Sequence, residues 1–432
     1  MKKNLLLLLF AILFFPLAAS SQLSVSNGAK SYSSYTSFRD VDYIFFFNGF
    51  DANATITYTG TGNSNHVYWY KASDLSTPLS QGQTNFDNFD DAQGYLLKVK
   101  KNDGFSDSLN IYFYVFDYSQ YLPTFNSLIV EENAENPCKE IKLLLDATVP
   151  VLKYPILSGA TQHEILREYN LKYNTLEWSD ANLAWEVVEK TQPINSDARE
   201  IVISEPPLCN TIFTLTADDE FSTDLGITPG TVVSSEYIAV AVDNKTTTRI
   251  TDIRTEENED SRPDTEDKLS GSAPLEILFK AHPSDAANIN KWDVYKNDIL
   301  VITRNTDEHR YTFNEFGQYK VVLTSNNSFC SATDSVIIDV SESALWVPNA
   351  FSPNNDGAND EFRVAYRSLK NFECRVYNRW GRRVYLSTDP QKGWDGTIGG
   401  KPAAAAPYFY VITAEGTDGK KYSLKGDINL LR

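Results

Sequence analysis

The chain is 432 residues long, with 42% hydrophobic residues, 13% aromatic residues and a formal net charge of −18 at pH 7. This length predicts several domains, and the hydrophobic content is sufficient for ordinary cores. Because the net charge is strongly negative, we exclude nucleic acid as a partner and expect no attraction to anionic lipid. Abundant aromatic residues, Thr, Val and Ile favour β-structure, and the predicted fold class is all-β.

The N-terminus predicts export. Lys2 and Lys3 precede an apolar run over residues 5–17, and four small residues follow at 18–21. This is the layout of a secretory signal peptide, which we place at residues 1–21. The apolar run is too short to span a bilayer comfortably. Because the first cysteine is Cys138, no lipid anchor is expected at the cleavage site.

Residues 22–120, which follow the signal peptide, carry many aromatic side chains. Aromatic faces stack on sugar rings, so Tyr70 and Tyr118 are candidate ligand-binding residues. We predict a β-sandwich for this region. Because a sandwich buries alternate side chains of its strands, we expect Trp69 to lie in the core. A carbohydrate-binding accessory protein is therefore an alternative function for the chain.

Alternating apolar and polar residues recur along the chain, and no segment has a sustained helical period. Trp69 and Trp292 are each followed, 25 residues later, by a glycine that opens a predicted strand. Trp185 is followed after 28 residues by Phe213, in a predicted strand over 211–216. A core tryptophan followed by a later strand at such spacing is typical of immunoglobulin-like sandwiches, and we predict three of them in tandem.

The cysteines are four in number and are spread over the chain. None forms a CxxC pair or has a histidine at ligand spacing, so no zinc site is expected. Export permits disulfides, and four cysteines allow three connectivities. We favour Cys138–Cys209 because both fall in the second module, and we expect Cys330 and Cys374 as buried thiols because a domain boundary separates them.

A charged segment over 255–273 contains Pro and Gly and almost no apolar residue, which predicts a flexible acidic linker. The third module resembles a PKD domain in Trp292, in the run 316–323 and in the strand pattern over 334–340. The complete predicted division is a signal peptide at 1–21, immunoglobulin-like sandwiches at 22–120 and 121–254, the linker at 255–273, a PKD-like domain at 274–342 and a C-terminal domain at 345–432.

The last 88 residues carry five short motifs in order, which end at the last residue of the chain. The first three motifs are defined by Pro348, Asn349, Phe351, Pro353, Asp356, Gly357, Asp360, Tyr377, Asn378, Arg379, Trp380, Gly381, Trp394, Asp395 and Gly396. The fourth is the Tyr-Phe-Tyr strand that begins at Tyr408, and the fifth is the run 425–432. The order and spacing closely resemble the gliding motility-associated C-terminal domain, a type B sorting domain of the type IX secretion system. The family's glycine before the Tyr-Phe-Tyr strand is absent, since Ala405, Ala406 and Pro407 stand there.

The resemblance implies a small C-terminal β-sandwich, recognition by the type IX translocon and a porin-like outer-membrane partner. It also implies that the protein is secreted or ends at the cell surface. We therefore expect an exported modular protein with an adhesive or structural role that contacts surface glycan or other surface proteins.

One loop of this domain clusters Asn354, Asp356 and Asp360 around a glycine. Oxygen ligands around a tight turn are what Ca²⁺ requires, so these three residues are candidate calcium ligands. The alternative is a polar turn in which the side chains bond their own backbone. No other cofactor is expected.

No catalytic motif is present in the sequence. The four histidines are spread over three modules, and there is no HExxH, GxSxG or phosphate-binding glycine loop. The chain is not predicted to be an enzyme, and a catalytic site assembled only by folding is the remaining alternative.

Overall fold

A computed structural model describes residues 22–25, 30–33, 41–51, 54–60, 66–100, 109–131, 136–155, 162–253, 258–263 and 268–432. The predicted signal peptide lies outside these ranges. Short strands make up most of the described chain, which confirms the all-β prediction. Among the described residues, no helix is long and apolar enough to cross a membrane.

The first module is a sandwich of two sheets. Its strands are β1 Leu23–Val25, β2 Lys30–Ser33, β3 Tyr43–Phe47, β4 Ile56–Tyr58, β5 Val67–Lys71, β6 Ser80–Gln81, β7 Asn85–Phe86, β8 Gln93–Val99 and β9 Leu109–Asp117. One sheet has the order β1-β4-β7 and the other the order β2-β3-β9-β8-β5-β6. Trp69 is fully buried between them, as predicted, and its ring stacks 5.3 Å from that of Phe86.

The second module has sheets of order β10-β11-β16 and β15-β14-β17-β18, with a separate hairpin, β12-β13. Its elements are β10 Thr124–Val130, β11 Ile141–Thr148, β12 Leu152–Pro155, β13 Gln162–Ile165, β14 Glu168–Ser179, β15 Ala184–Asn195, β16 Glu200–Ile203, β17 Thr211–Thr216, α1 Glu220–Asp224 and β18 Thr231–Tyr237. Phe213 is fully buried in the core. The prediction of Trp185 as the core tryptophan is wrong. Its side chain is only partly buried, and its indole N–H donates a hydrogen bond to the His282 carbonyl of the third module.

The first and second modules share a separate apolar cluster. Phe46 of β3 packs on Phe221 of α1 with ring centroids 4.3 Å apart. Tyr118 is completely buried in the same cluster, and its hydroxyl donates to Asp219, the N-cap residue of α1. Arg167 donates to the same hydroxyl at 3.2 Å. Apolar burial and a satisfied polar network therefore fix this junction.

The third module begins earlier than predicted. Its strands are β19 Asn244–Ile250, β20 Ser270–Gly271, β21 Leu275–Pro283, β22 Ile289–Lys296, β23 Ile299–Arg304, β24 Glu308–Phe313, β25 Gly317–Asn326 and β26 Ser331–Val340. The sheets have the orders β19-β21-β24 and β20-β26-β25-β22-β23, and Trp292 is fully buried between them, as predicted. β19 pairs with β21 over its full length, so residues 244–250 belong here and not to the second module.

The predicted flexible linker is also corrected where it is described. Glu259 and Arg262 are 5% and 7% exposed, and the Arg262 Nη2 lies 2.7 Å from the Glu259 Oε1. The Ser272 hydroxyl donates to the same carboxylate at 2.9 Å and accepts from the Ser368 amide of the C-terminal domain. These charged residues can be buried because they pair and are hydrogen-bonded, a property that composition does not reveal.

The C-terminal domain contains β27 Ala344–Trp346, β28 Ala350–Phe351, β29 Ala365–Arg367, β30 Leu369–Tyr377, β31 Arg383–Ser387, β32 Thr397–Ile398, β33 Lys401–Pro402, β34 Ala406–Gly416 and β35 Lys421–Leu430. The main sheet has the order β28-β35-β34-β30-β31. Tyr408 and Ile412 are buried, but Phe409 and Val411 are 47% and 37% exposed because only one face of this sheet meets the core.

The disulfide differs from the favoured pairing. Cys138 of the second module bonds Cys330 of the third, with Cα atoms 5.4 Å apart, while Cys209 and Cys374 are buried thiols. The bonded residues are 192 positions apart in sequence. They meet because the facing ends of two modules bring their loops together, which sequence separation does not indicate.

Candidate functional site

The first sorting motif pairs with the last strand of the chain. β28 runs parallel to β35, with Ala350 opposite Asn429. The backbone N–H of Asn429 donates to the Asn349 carbonyl at 3.0 Å, and the backbone N–H of Leu431 donates to the Phe351 carbonyl at 2.9 Å. Pro348 and Asn349 therefore lead into a strand that depends on the last residues, which ties this motif to the fold of the domain.

The Gly-Trp-Asp-Gly motif is part of the core. Trp394 is 2% exposed, its indole N–H donates to the Thr397 carbonyl at 2.8 Å, and its ring lies 5.4 Å from that of Phe351. The Asp395 carboxylate accepts from the amide and the hydroxyl of Thr397. Gly396 has φ +71°, and a Cβ there would lie 3.1 Å from Pro353. These motif residues therefore serve folding.

The turn from Asn378 to Gly381, between β30 and β31, differs from the other motifs. The Asn378 side chain accepts from the Trp380 and Arg382 amides, and Gly381 has φ +77°. These bonds fix the turn but leave Trp380 75% exposed, with the Arg379 guanidinium 4.4 Å from the ring centroid. Tyr377, just before the turn, is partly exposed and pairs with Phe409 on the outward face of the sheet. This exposed aromatic–cation pair has no packing role in the described domain.

The replacement of the family's glycine leaves the turn intact. No residue from Ala403 to Pro407 has a positive φ, and β34 begins at Ala406. The backbone here therefore does not require the left-handed conformation that glycine supplies.

The candidate calcium loop is closed by its own hydrogen bonds. The Asp360 carboxylate accepts from the amides of Asn354, Asn355 and Gly357 at 2.7–2.9 Å. The Asp356 carboxylate accepts from the Ala358 amide and the Asn354 side chain, and these bonds lower the pKa of Asp356. Within the described ranges, no group of three or more His, Cys, Asp or Glu residues is arranged to hold a metal. Calcium binding at this loop stays an untested alternative to a polar turn that is hydrogen-bonded to its own backbone.

The two candidate sugar-binding tyrosines do not form one site. Tyr118 is a junction residue without an exposed face, and burial raises its pKa, so its assignment as a ligand residue is wrong. Tyr70 is partly exposed on β5, where the Lys98 ammonium lies 5.3 Å from its ring centroid. No other described feature marks Tyr70 as part of a site.

A different aromatic set comes together at the end of the second module that faces the third. A cleft of about 770 Å³ lies there, which we name the junction cleft. Trp178 of β14 and Trp185 of β15 stand opposite each other in the hairpin and line it, with ring centroids 5.6 Å apart. The Trp185 indole donates to the His282 carbonyl at 3.0 Å, and the Trp178 ring lies 5.1 Å from the His282 ring.

Charged groups surround these aromatics in the junction cleft. Lys190 and Glu177 form an ion pair across the β14–β15 hairpin, and Tyr173 lies beside them. Burial raises the pKa of Tyr173; the nearby Lys190 opposes this shift and the Glu205 carboxylate adds to it. The cleft thus places hydrogen-bond donors and acceptors next to two aromatic rings, and ligand pockets in general combine aromatic walls with a few polar groups.

This cleft is not among the sites predicted from the sequence. A signal was present, since Trp178 and Trp185 flank the short segment SDANLA, whose Asp180 and Asn182 favour a turn, and the two tryptophans would face each other in a hairpin. The spacing of Trp185 to Phe213 pointed instead to a core position.

Two family comparisons bear on these sites. Residues 345–430 match the CHU_C family, described as the type IX secretion signal domain. The C-terminal domain is a type IX secretion signal domain. Its presence indicates export, with secretion or attachment to the cell surface. Residues 130–234 match the Fn3_FA family, a fibronectin type III domain, in agreement with the sandwich of the second module. Neither match tests the PKD resemblance of the third module, which stays a prediction.

Solved structures with similar tandem sandwiches were also found. A tetra-tandem repeat from the extending region of a large adhesion protein has 11% identity and a TM-score of 0.22, covering 90% of this chain and 98% of that one. A Ca²⁺-stabilised, ice-binding adhesin of an Antarctic bacterium has 12% identity and a TM-score of 0.21, covering 88% and 93%. Immunoglobulin domains 1–5 of Sidekick-1 have 10% identity and a TM-score of 0.25, covering 87% and 74%. Similarity at this level does not indicate a shared function. A comparison with curated protein sequences finds no match.

Proposed function

We propose that the type IX system exports this protein and that its three sandwich modules act outside the cell as an adhesive or spacing rod. The observation that carries the proposal is the secretion signal domain at 345–430, preceded by sandwiches in series. A signal of this kind assigns a destination, and the modules ahead of it do the work there.

The junctions between modules support a role that needs stiffness. An apolar cluster around Phe46 and Phe221 holds the first junction, and the Cys138–Cys330 disulfide holds the second. At the third junction, the buried Glu259 carboxylate accepts a hydrogen bond from the Ser272 hydroxyl. The same hydroxyl accepts a hydrogen bond from the backbone N–H of Ser368 in the C-terminal domain. Domains joined only by flexible linkers move independently, whereas junctions of this kind transmit force and keep the ends of a spacer apart.

We further propose that the exposed Arg379–Trp380 pair contacts the export machinery, including its porin-like outer-membrane partner. Tryptophan and arginine are the residues most enriched at the energetic centres of interfaces. The Asn378 side chain and Gly381 hold the turn in one conformation, so binding has little ordering to impose.

The test is quantitative mass spectrometry of surface, medium and periplasm in wild-type cells and in a strain lacking the translocon. Wild-type protein is expected outside the cell and is expected to accumulate in the periplasm without the translocon. Trp380→Ala is expected to accumulate there in both strains. Because the ring is exposed, this substitution should change the free energy of unfolding by only about 0.5 kcal/mol.

Trp346→Ala is the matched control. Trp346 is 48% exposed in the same domain, and the Arg367 guanidinium lies 5.7 Å from its ring centroid, so the change removes similar chemistry at another place. It should leave export unchanged. Normal export of Trp380→Ala would refute the docking role, and equal export of wild type with and without the translocon would refute the route itself.

A further inference from the structure

The junction cleft has the size and position of a ligand site that the export signal does not explain. Its volume of about 770 Å³ falls within the range of about 300–1,000 Å³ typical of ligand pockets, which occur preferentially at domain interfaces. The β14–β15 hairpin and the loop at 204–208 form its second-module walls, and residues 241–245 lead from it into β19 of the third module.

The aromatic rings of the cleft are held in place without a ligand. The Trp178 indole N–H donates to the Asp180 carboxylate at 2.9 Å, and the Trp185 indole N–H donates to the His282 carbonyl at 3.0 Å. Both rings remain partly exposed. Because their polar edges are already satisfied, the exposed parts of the rings are available for stacking on an apolar face, such as that of a pyranose ring.

The positive and negative charges of the side chains that line the cleft are equal in number. Three lysines and three carboxylates line it: Lys139, Lys190, Lys245, Glu177, Glu205 and Asp243. The chain as a whole has a net charge of −18, so this local balance is a departure from its surface. A balanced lining gives no net attraction to a polyanion or a basic peptide. It offers ammonium donors and carboxylate acceptors, which together suit the hydroxyls of an uncharged ligand.

The disulfide holds the two modules that meet at the cleft. Cys138 lines the cleft and bonds Cys330 of the third module. Asn327, in the same loop as Cys330, donates to the Val240 and Ala286 carbonyls at 2.8 and 3.0 Å. The geometry of the cleft therefore depends on a covalent bond between modules.

We propose that the junction cleft binds a neutral oligosaccharide, with Trp178 and Trp185 as the stacking platform and Glu177, Lys190 and Glu205 as hydroxyl partners. The proposal goes beyond export and assigns the modules a ligand class. It places recognition in the second module and not at the tyrosines of the first.

The test uses the purified chain from residue 22 to 432 and four neutral hexasaccharides: β-1,4-glucan, β-1,3-glucan, α-mannan and β-1,4-xylan fragments. Binding is measured by intrinsic tryptophan fluorescence and calorimetry. At least one hexasaccharide should bind without being cleaved, and Trp178→Ala should weaken that binding by roughly tenfold or more, as expected for a truncated aromatic anchor. Glu205→Gln preserves shape and should weaken it as well.

Tyr70→Ala, on the first module, is the matched aromatic control and should bind as the wild type does. The melting midpoints of all variants are measured so that a folding defect is recognised. Cys138→Ser, or reduction with dithiothreitol, should weaken binding while each module stays folded.

Four outcomes would overturn the proposal: no binding by any hexasaccharide, binding unchanged in both Trp178→Ala and Glu205→Gln, tighter binding of polygalacturonate or of an unstructured peptide library than of any neutral sugar, or release of shorter sugars. All are measured on purified protein, so they leave the export experiment unaffected.

Discussion

Replacing Gly396 by alanine tests the packing of the secretion signal domain most directly, because two separate effects should lower the free energy of unfolding at that position. Its φ of +71° is in the left-handed region, which costs an L-residue about 1–2 kcal/mol. The new Cβ would also lie 3.0 Å from Leu430, 3.1 Å from Pro353 and 3.3 Å from Phe351. Overpacking of this kind adds about 1–3 kcal/mol. The expected loss in the free energy of unfolding is therefore about 2–5 kcal/mol.

Gly399→Ala separates the two costs. Gly399 has φ +62° in the same loop region, but a Cβ there would meet nothing within 4 Å. Only the backbone cost of about 1–2 kcal/mol should apply. The difference between the two variants, about 1–3 kcal/mol, isolates the crowding against the core.

The assay is hydrogen exchange read by mass spectrometry on the full chain, because a multidomain protein has no single unfolding free energy. Peptides from β30, β34 and β35 report the opening of the C-terminal sheet. The opening constant of Gly396→Ala should exceed that of Gly399→Ala by roughly 5- to 150-fold, since 1.4 kcal/mol is tenfold. Equal effects of the two substitutions would refute the packing assigned to Gly396, and peptides of the first module should not change in either variant.

Two further predictions concern pH and calcium. Burial lowers the pKa of His309, which is 7% exposed in the third module, so the unfolded chain binds its proton more readily than the folded one. The third module should therefore be most stable above about pH 6.5, the ordinary pKa of histidine, and lose stability as pH falls below that value. Melting curves at pH 7.5 and 5.5 should show this drop, and His309→Gln should reduce it; an unchanged drop would assign it to other groups. At the candidate calcium loop, the Asp356 and Asp360 carboxylates already accept backbone amides, so millimolar Ca²⁺ should leave the melting of the C-terminal domain unchanged. A raised midpoint that is lost in Asp356→Asn would instead establish a calcium site.

The features predicted correctly from sequence are those that local pattern determines. Trp69 and Trp292 are core residues because each lies in an alternating strand of a sandwich, and the period-2 pattern and the later glycine are both visible in sequence. The sorting motif at Asn378–Gly381 forms a turn because Asn and Gly are residue types that favour turns. The order of the sorting motifs likewise identified the C-terminal domain.

The features that were missed depend on contacts between distant segments. β19 reads NKTTTRI, with little apolar alternation, and it is a strand of the third module only because β21 pairs with it. Trp185 has a core-like spacing, yet its partners are Trp178 and a carbonyl of another module. Cys138 and Cys330 likewise meet only through the arrangement of modules, so no local pattern could predict their bond.

The junctions described here respond to different agents, and this determines where the protein can be controlled. The cluster at Phe46 and Phe221 contains no cysteine among its buried residues, so a reductant has no bond to break there. At the third junction, removing one partner of the buried Glu259–Arg262 pair would cost about 3–5 kcal/mol, but no change of redox state acts on it. Only the junction between the second and third modules carries a disulfide among the described residues. That junction also carries the cleft. A reducing environment should therefore alter ligand binding at the cleft while leaving the other two junctions and the secretion signal domain in place.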